Sequence, residues 1–426
     1  MGTVAPLQPD FELTKISRIS VLAASASLFA VGFRISPWAG SAPSLAVSLT
    51  TYLLAFALAG VALAGKVTLK NAVATVAASM TFAVVVLVAH QIVFEIPTYG
   101  TDVMSFAHAG GEALLQGENP YTVTIEDVRP TLNRIGYRDS LTTQTRSGEP
   151  LNHITYYPAL HVLTFTGFLA IGLQDLRWAT LIIELVTIGI IWSAVSTSTR
   201  LLLPFVLLLE PYLSSIFTAG GNSDWLWTLP VAVSALFLHR RRWSWAGFWL
   251  GIACAVKQQP WFAIPFVLVW VIKSGEEHDR RSRMLEFPSM LALGFVLPNF
   301  PFMLWSFTDW FKGVLGPALT DLVADGQGLT QLVVHGWVSV SPVLFGVTLS
   351  LVVLALTGLY FVRFERLKNL LWILPPFALF FAYRSLHSYF VYWIPIVLLW
   401  LDLTNQSSSI EGWSRPWSRL RSAEEG

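Results

Sequence analysis

Charge is scarce in this chain. Asp, Glu, Lys and Arg make up 12% of its 426 residues, about half the share of an average soluble domain, so an ordinary water-facing surface cannot be assembled from it. The 27 Lys and Arg nearly balance the 26 Asp and Glu, for a formal net charge of +1, which excludes the basic footprint of a nucleic-acid binder. Cysteine is almost absent. The single Cys254 lies in an apolar run, which excludes an intramolecular disulfide and a thiolate metal cluster within one chain. The eight histidines show no HExxH-like spacing, and neither a P-loop nor a GxGxxG segment is present. Neither a metal, another cofactor nor direct use of a soluble nucleotide is therefore expected. Internal repeats and low-complexity tracts are missing as well.

Apolar sequence is abundant: 54% of residues are hydrophobic and the mean hydropathy is +0.59, as expected where the bilayer is the solvent. Apolar runs occur at Ile19–Phe33, Ser44–Ala64, Ala72–Phe94, Ala159–Leu173, Trp178–Val195, Leu201–Phe217 and Trp225–Leu238. Six more follow at Trp245–Val256, Trp261–Ile272, Phe287–Trp305, Val343–Phe361, Leu370–Tyr383 and Phe390–Leu403. Several are short for a hydrocarbon core. The expected fold is an all-α polytopic membrane protein with about 11 to 13 transmembrane helices. The polar N-terminus has no small-residue cleavage signature after its first apolar run, so that run is expected to be a retained span.

Basic residues in short loops mark the cytoplasmic side. The clusters His239–Arg242, Lys273–Arg283, Arg363–Lys368 and Arg415–Arg421, with Lys66 and Lys70, are assigned there. Exterior placement is then expected for Glu95–Tyr157, Gly220–Asp224, Lys257–Pro260, Asp309–Gly336 and Arg384–Tyr389. The whole of 1–426 is expected to form one integral membrane domain. It carries a long external loop over 95–157, a second over 307–337 and a polar cytoplasmic tail over 404–426. Three apolar runs separate Tyr157 from Gly220, although both ends should lie outside, so one of them is expected to be re-entrant, Ala159–Leu173 or its neighbour. Within the first loop, Asp102–Leu115 places Val103, Phe106, Ala107, Leu114 and Leu115 at helical spacing before Gly117 and Asn119-Pro120, which predicts an amphipathic surface helix. Asp309–Gly336 is a candidate for a second one.

Polar residues near the ends of apolar runs are where chemistry is expected. Asp102 follows a transmembrane run. It suits a helix N-cap, and it equally suits a general base that takes a proton from a hydroxyl. Asp224 again suits an N-cap, and its alternative is a place in a ligand-contacting element. Before it, Gly220-Gly221 permits close backbone approach, and Asn222 has donors and acceptors suited to sugar hydroxyls. Lys257, beside Gln258, is either a snorkelling lysine at a hairpin tip or a phosphate contact. Arg384 and His387 bring a guanidinium fork and a further donor, while Tyr389 and Tyr392 suit an aromatic belt. Glu184 and Glu210 lie inside apolar runs.

The order Thr101-Asp102, then Gly110 to Tyr121, then Tyr156-Tyr157-Pro158, resembles the membrane-embedded C-type glycosyltransferases that depend on polyprenol-phosphate sugars. It is most similar to the bacterial branch of α-mannosyl- and arabinofuranosyltransferases. Gly221-Asn222-Ser223-Asp224 looks like that branch's Gly-Gln-Asn-Asp element, with Ser223 at an acidic or amide position. Ala246-Gly247 to Ala255-Val256-Lys257-Gln258-Gln259-Pro260 is similar to its Ala-Gly to Ala-Val-Lys-Pro stretch. The resemblance covers Asp102 to Pro260, with an echo at Arg384–Tyr392, and the external loop follows the third span here rather than the first.

The resemblance implies a catalytic Asp102, donor-phosphate contacts from Lys257, Arg384 and His387, and substrate contacts from Asn222, Asp224, Tyr157 and Gln258. The activity it implies is transfer of mannose or arabinofuranose, with inversion, from a polyprenyl-phosphate carrier to a hydroxyl of a cell-envelope glycan or glycolipid. The site would face the exterior of the cell membrane. Expected partners are the lipid-linked donor, the acceptor and membrane lipids. The alternative is a transporter or flippase of a lipid-linked sugar.

Overall fold

The computed structural model describes residues 9–35, 42–65, 67–148, 152–207, 217–275 and 278–405. Its principal helices in the first half are α1 Pro9–Arg34, α2 Ala42–Ala64, α3 Leu69–His90, α4 Asp102–Leu115, α5 Arg129–Arg134, α6 Ala159–Ala170, α7 Arg177–Ala194 and α8 Thr197–Leu207. The second half has α9 Trp225–His239, α10 Trp243–Val256, α11 Ile264–Lys273, α12 Arg280–Trp305, α13 Phe307–Leu319, α14 Pro342–Val362, α15 Leu374–Leu379 and α16 over 394–405. Lys66, Glu210, Arg415–Arg421 and the tail from 406 onward lie outside the described residues, as does 208–216 of the run Leu201–Phe217.

Six helices among the described residues are long and apolar enough to cross a membrane: Lys15–Arg34, Ala42–Ala64, Leu69–Glu95, Arg177–Ala194, Arg280–Trp305 and Pro342–Val362. The chain is an all-α, multi-pass membrane protein. Four further apolar helices have 10–17 residues, and the run Leu370–Tyr383 is broken, leaving α15 only six residues long with Pro375 in its first turn. The 12 residues of α6 rise about 18 Å against a hydrocarbon core of about 30 Å. By length α6 is therefore shorter than a complete crossing, as are α9, α10 and α11.

The chain divides into two compact units, 1–100 with 195–222, and 101–194 with 223–426. In the first, α1 and α2 run antiparallel. Ser48 Oγ donates to the Gly32 carbonyl at 2.8 Å, Ser25 Oγ to Ala55 at 2.7 Å and Arg18 to Gly65 at 3.1 Å, so one residue number falls as the other rises. Hydroxyls that cannot reach water are thus satisfied by carbonyls across the helix pair. The end of α3 returns to the α1–α2 turn: His90 Nε2 lies 2.8 Å from Ser44 Oγ, and Glu95 lies 3.3 Å from Arg34. An apolar cluster of Leu28, Val31, Ile35, Ala55, Ala83 and Leu87 fills the space between the three helices.

In the second unit, α10 and α12 meet backbone to backbone. A Cβ at Gly251 would stand 2.1 Å from the Leu291 carbonyl oxygen, one at Gly247 2.2 Å from that of Phe287, and one at Gly294 2.3 Å from that of Phe248. Gly247 and Gly251 form a GxxxG step, which permits this approach where lipid gives helices no hydrophobic drive to associate. Beside it runs a column of tryptophans. Trp227 and Trp393 have ring centroids 4.9 Å apart, Trp372 and Trp393 6.2 Å, Trp372 and Trp400 6.3 Å, and Trp400 and Trp270 4.7 Å. These rings pack α16 against α9 and α11. Tyr392, expected in an aromatic belt, is instead buried against Trp225 and Trp227.

The long loop over 95–157 is ordered by a core of its own. Val123, Ile125, Val128, Leu132 and Ile154 cluster on Phe106, Ala109 and Ala113 of α4. On another side Gly110 and Gly111 press α4 against Val162, Thr166 and Leu169 of α6. The helix expected at Asp102–Leu115 is therefore present but buried for most of its length, because the rest of the loop folds over it. Glu112 anchors the cover, accepting hydrogen bonds from Thr131 and Arg134 and contacting His108 at 3.2 Å. Burial pushes the Glu112 carboxyl up, yet Arg134 and Thr131 bring it below its ordinary 4.5. Burial holds His108 below 6.5 against the opposing pull of Glu112.

Two predictions follow from this packing. Gly251→Leu should destabilise the protein by roughly 1–3 kcal/mol or prevent folding, read as thermal unfolding in detergent. Gly358→Ala, where a Cβ meets nothing within 4 Å, should leave the melting unchanged. The second concerns acid. A His with a lowered pKa and a Glu with a lowered pKa both contribute stability that is lost as pH falls. Hydrogen exchange over 124–142 should therefore rise first below the ordinary 6.5 of His108 and again below the ordinary 4.5 of Glu112. Glu112→Gln should abolish the second step.

Candidate functional site

Segments far apart in sequence close around a cavity of about 420 Å³ in the second unit. Its wall takes Asp102 and Phe106 from α4, Thr143 and Tyr156–Tyr157 from the rest of the long loop over 95–157, and Gln258–Gln259 from the turn after α10. Val314, Leu315, Thr320, Leu322, Tyr383–Arg384 and Tyr389 also line it, with Pro342, Gly346 and Leu349 on the α14 side. The lining combines polar groups, among them Asp102, Thr143, Gln258, Gln259 and Arg384, with aliphatic and aromatic side chains. The face of α14 itself is widely exposed at Val343, Val347, Leu351 and Leu354, as suits a helix against lipid.

Asp102 does not cap α4. Thr101 does, with extended backbone at φ −135° and ψ 150° and its Oγ1 accepting from the Met104 amide at 3.2 Å. Asp102 is the first helical residue, and its carboxylate is placed for other partners. Oδ1 accepts from the Val103 amide at 2.8 Å, while Oδ2 accepts from the Thr143 amide at 3.1 Å and the Thr143 hydroxyl at 2.9 Å. Thr143 is held from across the cavity, because Thr145 bridges Leu322, the Val323 amide donates to the Gln144 carbonyl at 3.1 Å, and the Arg146 amide to that of Asp321 at 2.8 Å. The loops over 95–157 and 307–337 thus fix the Asp102 carboxylate jointly. Nothing in the run 121–153 distinguishes Thr143 beforehand; only the folded loop brings it to Asp102.

Asp224 occupies the N-cap position of α9 without making a side-chain cap bond. Its Oδ1 instead accepts from Lys257 Nζ at 2.6 Å and from the Trp227 indole at 2.8 Å. Both members of the ion pair are buried, and Lys257 Nζ sits 4.9 Å from the centre of the Tyr157 ring. Lys257 is therefore neutralised behind the cavity wall, where a snorkelling lysine would point to water. Tyr157 lies over His161 at a centroid distance of 4.7 Å, and its carbonyl accepts from the Tyr121 hydroxyl at 2.8 Å. Burial, then the Asp102 and Asp224 charges, push the Tyr157 phenol far above its ordinary value, so it stays protonated. His161 Nε2 lies 2.9 Å from Ser223 Oγ, which gives the departing Ser223 a packing role.

Gln258 lines the cavity and also ties its wall together: its Nε2 donates to the carbonyls of Tyr156 at 2.9 Å and Val314 at 2.8 Å. Arg384 lies on the cavity, 3.4 Å from Asp325, in a two-residue parallel strand that pairs Asp325 with Arg384 and Gly326 with Ser385. Gly326 has φ +123°, and a Cβ there would stand 2.2 Å from the Ser385 carbonyl oxygen. His387 is exposed, stands before a single helical turn and is not among the lining residues. Asn222 belongs to the first unit, where its amide donates to the Phe217 carbonyl at 2.6 Å. The double glycine there serves the backbone: Gly221 adopts φ +91°, and the Gly220 carbonyl accepts from the Gly100 amide at 2.8 Å.

Among the described residues, no group of three or more His, Cys, Asp or Glu side chains is placed to hold a metal ion. In comparison with known proteins, the chain matches no family model, no curated protein and no solved structure.

The buried pair yields a stability prediction. Lys257→Met alone leaves the Asp224 carboxylate buried without its cation and should cost roughly 3–5 kcal/mol. Adding Asp224→Asn should restore most of that loss, as thermal unfolding of the single and double variants would show.

Proposed function

We propose that the chain is a glycosyltransferase that moves a sugar, mannose or arabinofuranose, from a polyprenyl-phosphate carrier to a hydroxyl of a cell-envelope glycan or glycolipid on the outer face of the membrane. The observation that carries this reading is the placement of Asp102. Relieved of capping by Thr101, its carboxylate is oriented by Thr143 in the wall of a cavity that polar groups and apolar side chains line together, with Pro342, Gly346 and Leu349 of α14 among the latter. A lipid-linked sugar combines the same two chemistries. The motif order that resembles the C-type glycosyltransferases supports it independently.

In this reading the Asp102 carboxylate takes the proton of the acceptor hydroxyl. The freed oxygen bonds to the anomeric carbon from the face opposite the phosphate, and the bond from that carbon to the phosphate oxygen breaks, inverting the centre. The carrier leaves as a phosphate monoester whose developing charge meets the Arg384 guanidinium. Lys257 and Asp224 support the wall by holding Tyr157, and Gln258 braces Tyr156 against α13. The exposed position of His387 weighs against a share in the phosphate site. The transporter reading is the weaker one, because the cavity's polar groups gather at helix ends and loops rather than along an interrupted helix.

Asp102→Asn retains an acceptor for Thr143 and removes the base. With polyprenyl-phosphate mannose and arabinofuranose as donors, the variant should melt like the intact protein and transfer at least about 100-fold more slowly. Equal rates would remove Asp102 from the chemistry. No transfer by the intact protein with any donor would favour carriage of a lipid-linked sugar.

A further inference from the structure

Gln258 and Gln259 are adjacent and chemically identical, and the fold uses them differently. Gln258 spends its amide on the carbonyls of Tyr156 and Val314. Gln259 also lines the cavity and is 5% exposed, but its Oε1 is sealed from solvent and has no hydrogen-bond partner. Nearly all buried polar atoms in folded proteins are paired, and one left unpaired raises the free energy of the folded state. Leucine or methionine would fill the position without that penalty. Gln259 begins a 3-10 turn, Gln259–Ala263, with Pro260 and Ala263 buried, so the backbone cannot easily move to find it a partner. Its terminal torsion is soft, so the carboxamide can turn toward a group that enters the cavity.

We infer that Gln259 is a recognition residue whose carboxamide oxygen accepts a hydrogen bond from a hydroxyl of a sugar headgroup bound in the cavity. The choice of ligand class rests on the sugar-transfer reading above; the unmet acceptor stands on its own. The headgroup supplies the donor that the fold withholds. An apolar residue of similar volume should therefore relieve the folded protein and weaken the ligand together, which is the signature of a group kept for function rather than for packing.

The test uses the full chain in detergent or nanodiscs, with Gln259→Met and Gln259→Leu beside the intact protein. Thermal melting is measured without ligand. Binding is measured with polyprenyl-phosphate mannose, polyprenyl-phosphate arabinofuranose and bare polyprenyl phosphate. The variants should melt at the same or a higher temperature, bind the bare carrier as the intact protein does, and bind a sugar-bearing probe about 10-fold more weakly. Unchanged binding of a sugar-bearing probe overturns the inference and leaves the transferase reading in place. A lower melting temperature in both variants, with equal losses for bare and sugar-bearing probes, makes Gln259 a packing residue and also overturns it. Failure of the intact protein to bind either sugar-bearing probe removes the transferase reading, and this inference falls with the ligand class it names.

Discussion

The buried ion pair between Lys257 and Asp224 is the interaction on which the site end of the second unit depends. It joins the end of α10 to the start of α9, and the same ammonium underlies the Tyr157 ring. Tyr157 lies between the long loop and α6, so the pair fixes where α6 begins and hence where α4, packed along it, can lie. Removing two charges from water is costly. Here Trp227 supplies a further donor to Asp224 Oδ1, and the chain keeps both charges although so few others are present. From Trp227 beside the pair the tryptophan column, together with the glycine contacts of α10 with α12, provides rigidity without any charge.

Much of this arrangement is legible in the sequence because bilayer physics leaves few options. Long apolar runs must become helices, and the amphipathic helix expected at Asp102–Leu115 is α4, buried rather than laid on a surface, while the stretch Asp309–Gly336 overlaps most of α13. The short runs were less legible, since proline and the polar ends of segments such as Leu370–Tyr383 decide where a helix stops, and hydropathy averages over them. Long-range partners were not legible at all. Asp102 and Asp224 both suit capping by local preference. Thr101 takes over the first role and Lys257 diverts the second, and each outcome depends on a neighbour only the folded chain provides. Thr143 carried no local signal, because its importance comes from the pairing of 144–146 with 321–323.

The GxxxG step of α10 was visible as Ala246-Gly247 and Gly251, but its meaning lies in α12. Gly294 there has no motif of its own; only the approach of Phe248 requires it. Small residues in membrane helices report contact without naming the partner, just as buried carboxylates report an electrostatic need without naming the cation.

The distribution of charge then bears on what the cavity can hold. Of the residues that line it, Asp102 and Arg384 carry formal charges. Lys257 adds little, since Asp224 cancels it at 2.6 Å. Arg384 differs: its contact with Asp325 is 3.4 Å long and Asp325 is largely exposed, so that pairing is weak in the way surface pairs usually are. An anion in the cavity therefore competes for Arg384 against a partner already shared with water, whereas to engage Lys257 it would have to break a desolvated pair. The same physical asymmetry separates the two cations that motif order had grouped together. It leaves Arg384, with the backbone strand that presents it, as the group best able to meet a phosphate, and Lys257 as part of the wall behind it.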